Sequence, residues 1–158
     1  MSIIQILHAD HAYFRERFRQ MEKMALARKS KRTTTLALTI VKDLRQRHKT
    51  HLRWEAEVLF PGLVEAFRKR RVKPKDPLIL RHLEEEHRDV GRAIYLLDQE
   101  LSETPPLPTW TDRFITFRDL FDSHMQREEE HLFPEALKLL TQKELEKMAR
   151  ANGGIGSY

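Results

Sequence analysis

Six side chains in this sequence have the types and the spacing to hold metal ions. His51-Leu52-Arg53-Trp54-Glu55-Ala56-Glu57-Val58-Leu59-Phe60-Pro61 is answered 73 residues later by His124-Met125-Gln126-Arg127-Glu128-Glu129-Glu130-His131-Leu132-Phe133-Pro134. Both copies hold a His, a Glu four residues on, a second Glu at the sixth place and then Leu-Phe-Pro. Positions i and i+4 share one face of a helix, so each copy presents an imidazole beside a carboxylate. A second pair of segments repeats at an offset of 76: Leu7-His8-Ala9-Asp10-His11 aligns with Leu83-Glu84-Glu85-Glu86-His87. The chain reads as one helical hairpin used twice, over about residues 3–70 and 77–140, with one His from the first helix of each half and His-x-x-x-Glu from its second.

The donor set is therefore His11, His51, Glu55, His87, His124 and Glu128. There is no Cys, which excludes thiolate-bound zinc, iron–sulfur clusters and disulfides within the chain. Four imidazoles and two carboxylates favour iron or manganese over a tetrahedral structural zinc. With both Glu side chains and an oxo or hydroxo group bridging, each six-coordinate metal has two His, two carboxylate oxygens, one bridging oxygen and one open position. Open positions imply small-ligand binding or redox chemistry rather than a structural role. A single His on a helix is more often a surface or core residue than a ligand, and a lone His-x-x-x-Glu is common on exposed helices. Six donors repeated in register are far harder to obtain by accident.

The elements that must position these donors are long helices. The composition is 40% hydrophobic and 34% charged with only five Gly, and the Pro residues fall mostly at element edges, which points to amphipathic helices rather than a sheet. Ser2 to Gln5 has capping-box spacing, and Ile3, Ile6, Leu7, Phe14, Phe18 and Met21 keep helical period towards Arg28. After a polar connection from Ser30 to Thr35, a second helix carries Leu36, Ile40, Val41, Leu44, Leu52, Leu59 and Leu63, with a kink expected at Pro61. Asp76 and Pro77 suit the N-cap and first turn of a third helix reaching Leu101. A fourth follows the Pro-rich break, from about Thr109 to Leu140. Thr141 to Glu144 is a second capping box opening a short fifth helix, which Gly153 and Gly154 end. The expected fold is all-α: an up-down-up-down four-helix bundle with a short C-terminal fifth helix, one domain over residues 1–158.

At this point the chain resembles a hemerythrin-like (HHE cation-binding) domain. The Asp-His of helix 1, the His-x-x-x-Glu-x-Glu-x-Leu-Phe-Pro of helix 2, the Glu-His of helix 3 and the second His-x-x-x-Glu carry the resemblance, which covers essentially the whole sequence. It implies a bundle holding two iron ions with an oxo or hydroxo bridge. Family members carry O2, sense oxygen or iron, respond to nitric oxide or decompose peroxide. The sequence departs from the oxygen carriers in two places. Their fifth His ligand, one turn before the first on helix 3, is Leu83 here, and His82 is five residues from His87, about 140° round the helix. They place an Asp five after the helix 4 His, where this chain has Glu128 at four and Glu129 at five. The missing His favours two accessible metals over reversible O2 carriage.

The leading expectation is a non-haem di-iron protein that binds or reduces O2, peroxide or nitric oxide, supplied by an electron donor. The alternative is a non-enzymatic oxygen, iron or nitric oxide sensor or iron-handling module. His8 and Glu84, each three residues before a His donor, are candidates for an extra ligand or a supporting contact. His131 suits a polar group at the bundle end rather than a ligand, and His48, three before His51, could support the ligands from behind, with a solvated residue as the default. Glu57 and Glu130 should face water, Leu59, Phe60, Leu132 and Phe133 should pack beneath the metals, and Trp54 and Trp110 should be core or boundary. The net charge of +5 resides in basic clusters at helix ends without interleaved aromatics, so no nucleic-acid partner is expected. No leader and no apolar run of membrane length is visible, and the expectation is a cytoplasmic protein with no membrane partner.

Overall fold

The structure is a computed structural model that describes residues 1–151. Its elements are α1 (Ile3–Leu26), α2 (Lys31–Trp54), π1 (Glu55–Leu59), α3 (Phe60–Arg70), α4 (Ile79–Ser102), α5 (Trp110–Arg127), π2 (Glu128–Leu132), α6 (Phe133–Leu139) and α7 (Gln142–Arg150). α2, π1 and α3 form one continuous rod, and so do α5, π2 and α6. With α1 and α4 these make the four-helix bundle, and α7 is the short fifth helix. Among the described residues no helix is long and apolar enough to cross a membrane. The expected helix stop at Gly153 and Gly154 lies outside the described residues.

Both expected capping boxes form. Ser2 accepts from the Gln5 amide while the Gln5 side chain accepts from the Ser2 amide, and Thr141 and Glu144 do the same for α7. Two helix starts differ from the sequence reading. α2 begins at Lys31 rather than near Leu36, because the Ser30 hydroxyl accepts from the Thr33 amide and caps the polar segment as a first helical turn. α4 begins at Ile79 rather than Pro77, because the Asp76 carboxylate accepts from the Leu78 amide and closes a separate turn across the proline.

The expected kink at Pro61 takes a more specific form. A proline inside an α-helix lacks the donor for the i−4 carbonyl, and its ring collides with that carbonyl. Here the turn before each proline is widened to π geometry: the Phe60 amide reaches the Glu55 carbonyl, and the Phe133 amide reaches that of Glu128. Each π turn holds one more residue than an α turn and begins at the Glu of a His-x-x-x-Glu pair.

The core is divided. One cluster holds Phe14, Phe18, Val41, Leu44, Leu97, Phe114, Phe117 and Phe121, with Trp110 buried at its edge. The other holds Ile3, Leu7, Trp54, Leu59, Phe60, Leu63, Leu83, Leu132, Phe133 and Leu145. α1 passes from the second cluster (Leu7) to the first (Phe14), the α2–α3 rod returns from Leu44 to Leu59, α4 goes back from Leu83 to Val90, and the last rod returns from Phe117 to Leu132. Alternation of direction along the four rods is the up-down-up-down topology. α7 closes the second cluster with Leu145, and Gly62 gives it room, since a Cβ there would lie 2.2 Å from the Met148 methyl carbon. The buried Asp98 carboxylate joins α4 to α2 through Arg45 at 2.7 Å and Lys42 at 3.1 Å.

Because Phe114 is fully buried among aromatics while Val64 on α3 is half exposed, the two positions should respond differently to truncation. Phe114→Ala is expected to cost about 3–5 kcal/mol in denaturant unfolding. Val64→Ala should stay within about 0.5 kcal/mol.

Candidate metal centre

Between the two apolar clusters lies a polar layer made by one turn from each rod. α1 contributes His11, α2 His51, α4 His87 and α5 His124, while Glu55 and Glu128 open the two π turns. All are fully buried except His87, which is 11% exposed at its side chain. The imidazoles fall into two pairs, His11 with His51 at 5.2 Å between ring centroids and His87 with His124 at 4.7 Å. Each carboxylate lies between the pairs. Glu55 Oε1 is 2.8 Å from His51 Nε2, and Oε2 is 2.7 Å from His87 Nε2 and 3.9 Å from His124 Nε2. Glu128 Oε1 is 3.4 Å from His11 Nε2 and 3.1 Å from His124 Nε2. Ligand atoms of His11, His51, Glu55 and Glu128 all fall within 4.8 Å of one another, and so do those of Glu55, His87 and His124.

The outer side of the layer holds three carboxylates the sequence reading assigned no role. Asp10 Oδ2 accepts from His51 Nδ1 at 2.9 Å, Glu129 Oε1 lies 3.5 Å from His11 Nδ1, and Glu86 Oε1 lies 3.6 Å from His124 Nδ1. Each of the three is in turn held by an arginine: Asp10 by Arg47 at 3.2 Å, Glu129 by Arg15 at 2.6 Å and Glu86 by Arg127 at 3.0 Å. The Asp10 hydrogen bond keeps the proton at His51 Nδ1 and turns Nε2 toward the centre, the tautomer a metal ligand needs, and the charges of Glu129 and Glu86 bias His11 and His124 the same way from a longer distance. His11 and His87 are further fixed by aromatic faces. His11 stacks on Phe133 at 5.5 Å, and His87 stacks on Phe60 at 5.7 Å with the rings within 5° of parallel.

The donor set fits metal ions. Both ring nitrogens of His11 and of His124, His51 Nε2, Glu55 Oε1, both Glu128 oxygens and Glu129 Oε1 are buried without a well-formed hydrogen bond, an arrangement that costs about 1–3 kcal/mol per group unless another partner satisfies it. In the metal-free chain the groups compensate one another. Burial alone would lower the His51 pKa, but the Glu55 charge and the Asp10 carboxylate outweigh it and raise it to about 10. His124 is likewise raised against burial, by Glu128 and Glu55. Glu55 goes well below the usual carboxylate range although burial opposes this, because His51 and His124 face it.

The remaining polar candidates separate clearly. His48, expected in solvent, is buried against Phe121 at 4.9 Å, because the helix turn before His51 faces the first apolar cluster. Burial, followed by the charges of His51, His87 and His124, lowers its pKa to about 3. His8 is exposed but lies edge-on to His11 at 6.2 Å, and can join His11 and Glu129 within 4.8 Å. Glu84 is exposed and belongs to none of the possible ligand groups among the described residues. His131 is exposed, and Glu57 and Glu130 face water beside Arg53 and Gln126. Of the missed residues, Asp10 and Glu86 had a signal in the sequence: each immediately precedes the His of its repeat. Glu129 has no acidic equivalent in the repeat, where Ala56 stands, and its one signal is its place five residues after His124.

The family model described as the hemerythrin HHE cation-binding domain matches residues 2–136. Among solved structures, the fold is similar to a hemerythrin HHE cation-binding domain-containing protein from Mycobacterium kansasii, at a TM-score of 0.70 and 22% sequence identity, over 98% of this chain and 87% of that one. No curated protein matches the sequence significantly.

The two perturbed histidines of α2 make opposite demands on pH. His51, raised to about 10, stabilises the metal-free fold fully below the ordinary histidine pKa and loses that contribution as pH climbs through its folded value. His48, lowered to about 3, favours the folded state above the ordinary pKa and loses that contribution on acidification. The thermal midpoint of metal-free protein should therefore peak at about pH 6.5 and fall on both sides. Asp10→Asn, which weakens the support of the His51 charge, should flatten the alkaline limb in a series of thermal melts across pH.

Proposed function

The chain belongs to the hemerythrin HHE cation-binding domain family, and from that premise we propose that it is a non-haem di-iron protein that binds or reduces a small oxidant: O2, peroxide or nitric oxide. The observation that carries this reading is the position of Glu55 and Glu128, each between a His from one half of the chain and a His from the other. A carboxylate in that position is built to share its two oxygens between two ions. His11 and His51 would hold one ion, His87 and His124 the other, and Glu55 and Glu128 would bridge them. Bound there, two irons supply redox change and Lewis acidity toward the oxidant.

The rest of the work falls to the chain. Asp10 holds the proton at Nδ1 of His51, while Glu129 and Glu86 set a negative charge behind Nδ1 of His11 and His124, which favours an Nε2 open to the centre. Phe60 and Phe133 fix the remaining ring faces and, with Leu59 and Leu132, keep bulk water from one side of the layer. Phe14 and Phe121, which touch at 4.7 Å, do so on the other. A small uncharged or diatomic molecule passes such a wall more readily than a large polar substrate, which suits the proposed oxidants. No side chain in the layer is placed as an independent nucleophile. We take the whole chain as one such domain, acting in the cytoplasm with an electron donor.

Elemental analysis of protein purified without added metal is expected to give about two irons per chain. Zinc at one per chain, or no metal after anaerobic iron loading, would overturn the reading. Glu55→Ala and Glu128→Ala should each lose most of the bound iron while remaining helical by circular dichroism, and normal occupancy in both would remove the bridging assignment. Turnover of peroxide, O2 or nitric oxide by the loaded protein would support a reductase. Tight iron binding without turnover, with a partner recognised only in the iron-loaded form, would support a sensor.

A further inference from the structure

His48 is the one buried histidine outside the proposed ligand set. It lies one turn before His51 and is 4% exposed, and its Nε2 is buried without a hydrogen-bond partner. Its place in the repeat is informative. The offset of 73 that relates His51 to His124 and Glu55 to Glu128 relates His48 to Phe121, and those two rings pack on each other edge to face at 4.9 Å and 75°. Two repeat-equivalent side chains in mutual contact mark the local two-fold axis of the duplicated hairpin. On that axis one half supplies a phenyl ring and the other an imidazole.

The axis also fixes which side of the metal layer His48 occupies. Glu55 and Glu128 enter four residues after His51 and His124, on the side of the Leu59 and Leu132 cluster. His48 and Phe121 lie three residues before the same histidines, on the side of the Phe14 and Phe117 cluster. Along the helices these positions are separated by about 10 Å, with the imidazole layer between them. The carboxylates thus occupy one side of the layer, and on the other His48 is buried against Phe121 with its Nε2 unpartnered. Phe121 leans toward His124 at 6.3 Å and Phe14 meets His51 at 5.5 Å, so the surrounding surface is aromatic. Whatever its charge, an imidazole can present an N–H at Nε2.

Resting on the di-iron reading above, we propose that His48 is a hydrogen-bond donor to the small exogenous ligand held on the carboxylate-free side of the metal pair, and that it sets the affinity for anionic ligands there. It is a positioning residue for that ligand and not a further metal ligand. The asymmetry of His48 against Phe121 gives a ligand on the axis one polar contact and one apolar wall, so it is held in a single orientation.

The test uses the full chain loaded with iron, with azide as the probe. His48→Phe installs the residue that the other half of the repeat already carries at this position, and His48→Gln keeps a donor of similar reach. Both variants should retain the wild-type iron content. Azide, followed by its optical change on the ferric protein, should bind about tenfold or more weakly to His48→Phe, with most of the affinity restored in His48→Gln. In metal-free protein, His48→Phe should raise the thermal midpoint, since it removes an unpartnered polar atom from an aromatic site. Unchanged azide affinity in a fully loaded His48→Phe protein would overturn the assignment, and so would loss of iron from that variant, which would make His48 a ligand. Failure of the wild-type protein itself to hold two irons would instead remove the di-iron reading on which the proposal stands.

Discussion

Four imidazoles and two carboxylates are buried in one layer between two apolar clusters, and the rest of the fold answers to the cost of putting them there. Ionised groups moved out of water lose several kcal/mol each unless opposite charge meets them at close range. Metal ions would meet that demand from within. Without them the layer turns on itself, with His51 and His124 taking up protons to face Glu55 and Glu128. Each rod crosses it once, and each delivers its donor at the crossing.

Charge is brought in from the rim in a graded way. Arg15, Arg47 and Arg127 remain partly exposed and hold Glu129, Asp10 and Glu86, which in turn stand behind His11, His51 and His124. The guanidinium groups stay hydrated while their carboxylates become less so and the imidazoles not at all. The repeat supplies two of these three lines symmetrically, since Asp10 and Glu86 occupy equivalent places and each serves the His on the following rod. The third is an addition by one half alone. Glu129 corresponds to Ala56, just as Phe121 corresponds to His48. The duplicated scaffold therefore holds its donors symmetrically and surrounds them asymmetrically.

Much of this was legible in the sequence because it is periodic. The His and Glu donors recur at fixed offsets, the apolar positions keep helical spacing, and both capping boxes form as written. What escaped is of a different physical kind. The π turns depend on how a helix relieves the collision between a proline ring and the carbonyl four residues back, and several local solutions fit the same letters. Glu129 reaches His11 across the gap between two rods, a contact with no counterpart in local spacing. For His48 the residue type suggests water, while its position, one turn before His51 on the inward face, places it in the core. The start of α4 lies at Ile79 because the Asp76 carboxylate accepts from the Leu78 amide and closes a turn of its own before the helix.

The π turns bear on how such a protein can change. A straight α-helix is a rigid screw in which each residue adds about 100° of rotation, so the angular setting of one end dictates that of the other. The extra residue in π1 and π2 inserts a step between the two ends of each long rod. The upstream segment can aim His51 and Glu55, or His124 and Glu128, while the downstream segment is set separately to aim Leu63 or Ala136 at the lower cluster. Each rod works as two threaded pieces with an adjustable coupling rather than as one shaft. Sequence drift in α3 and α6 can then retune the packing around α7 without turning the donors away from the centre.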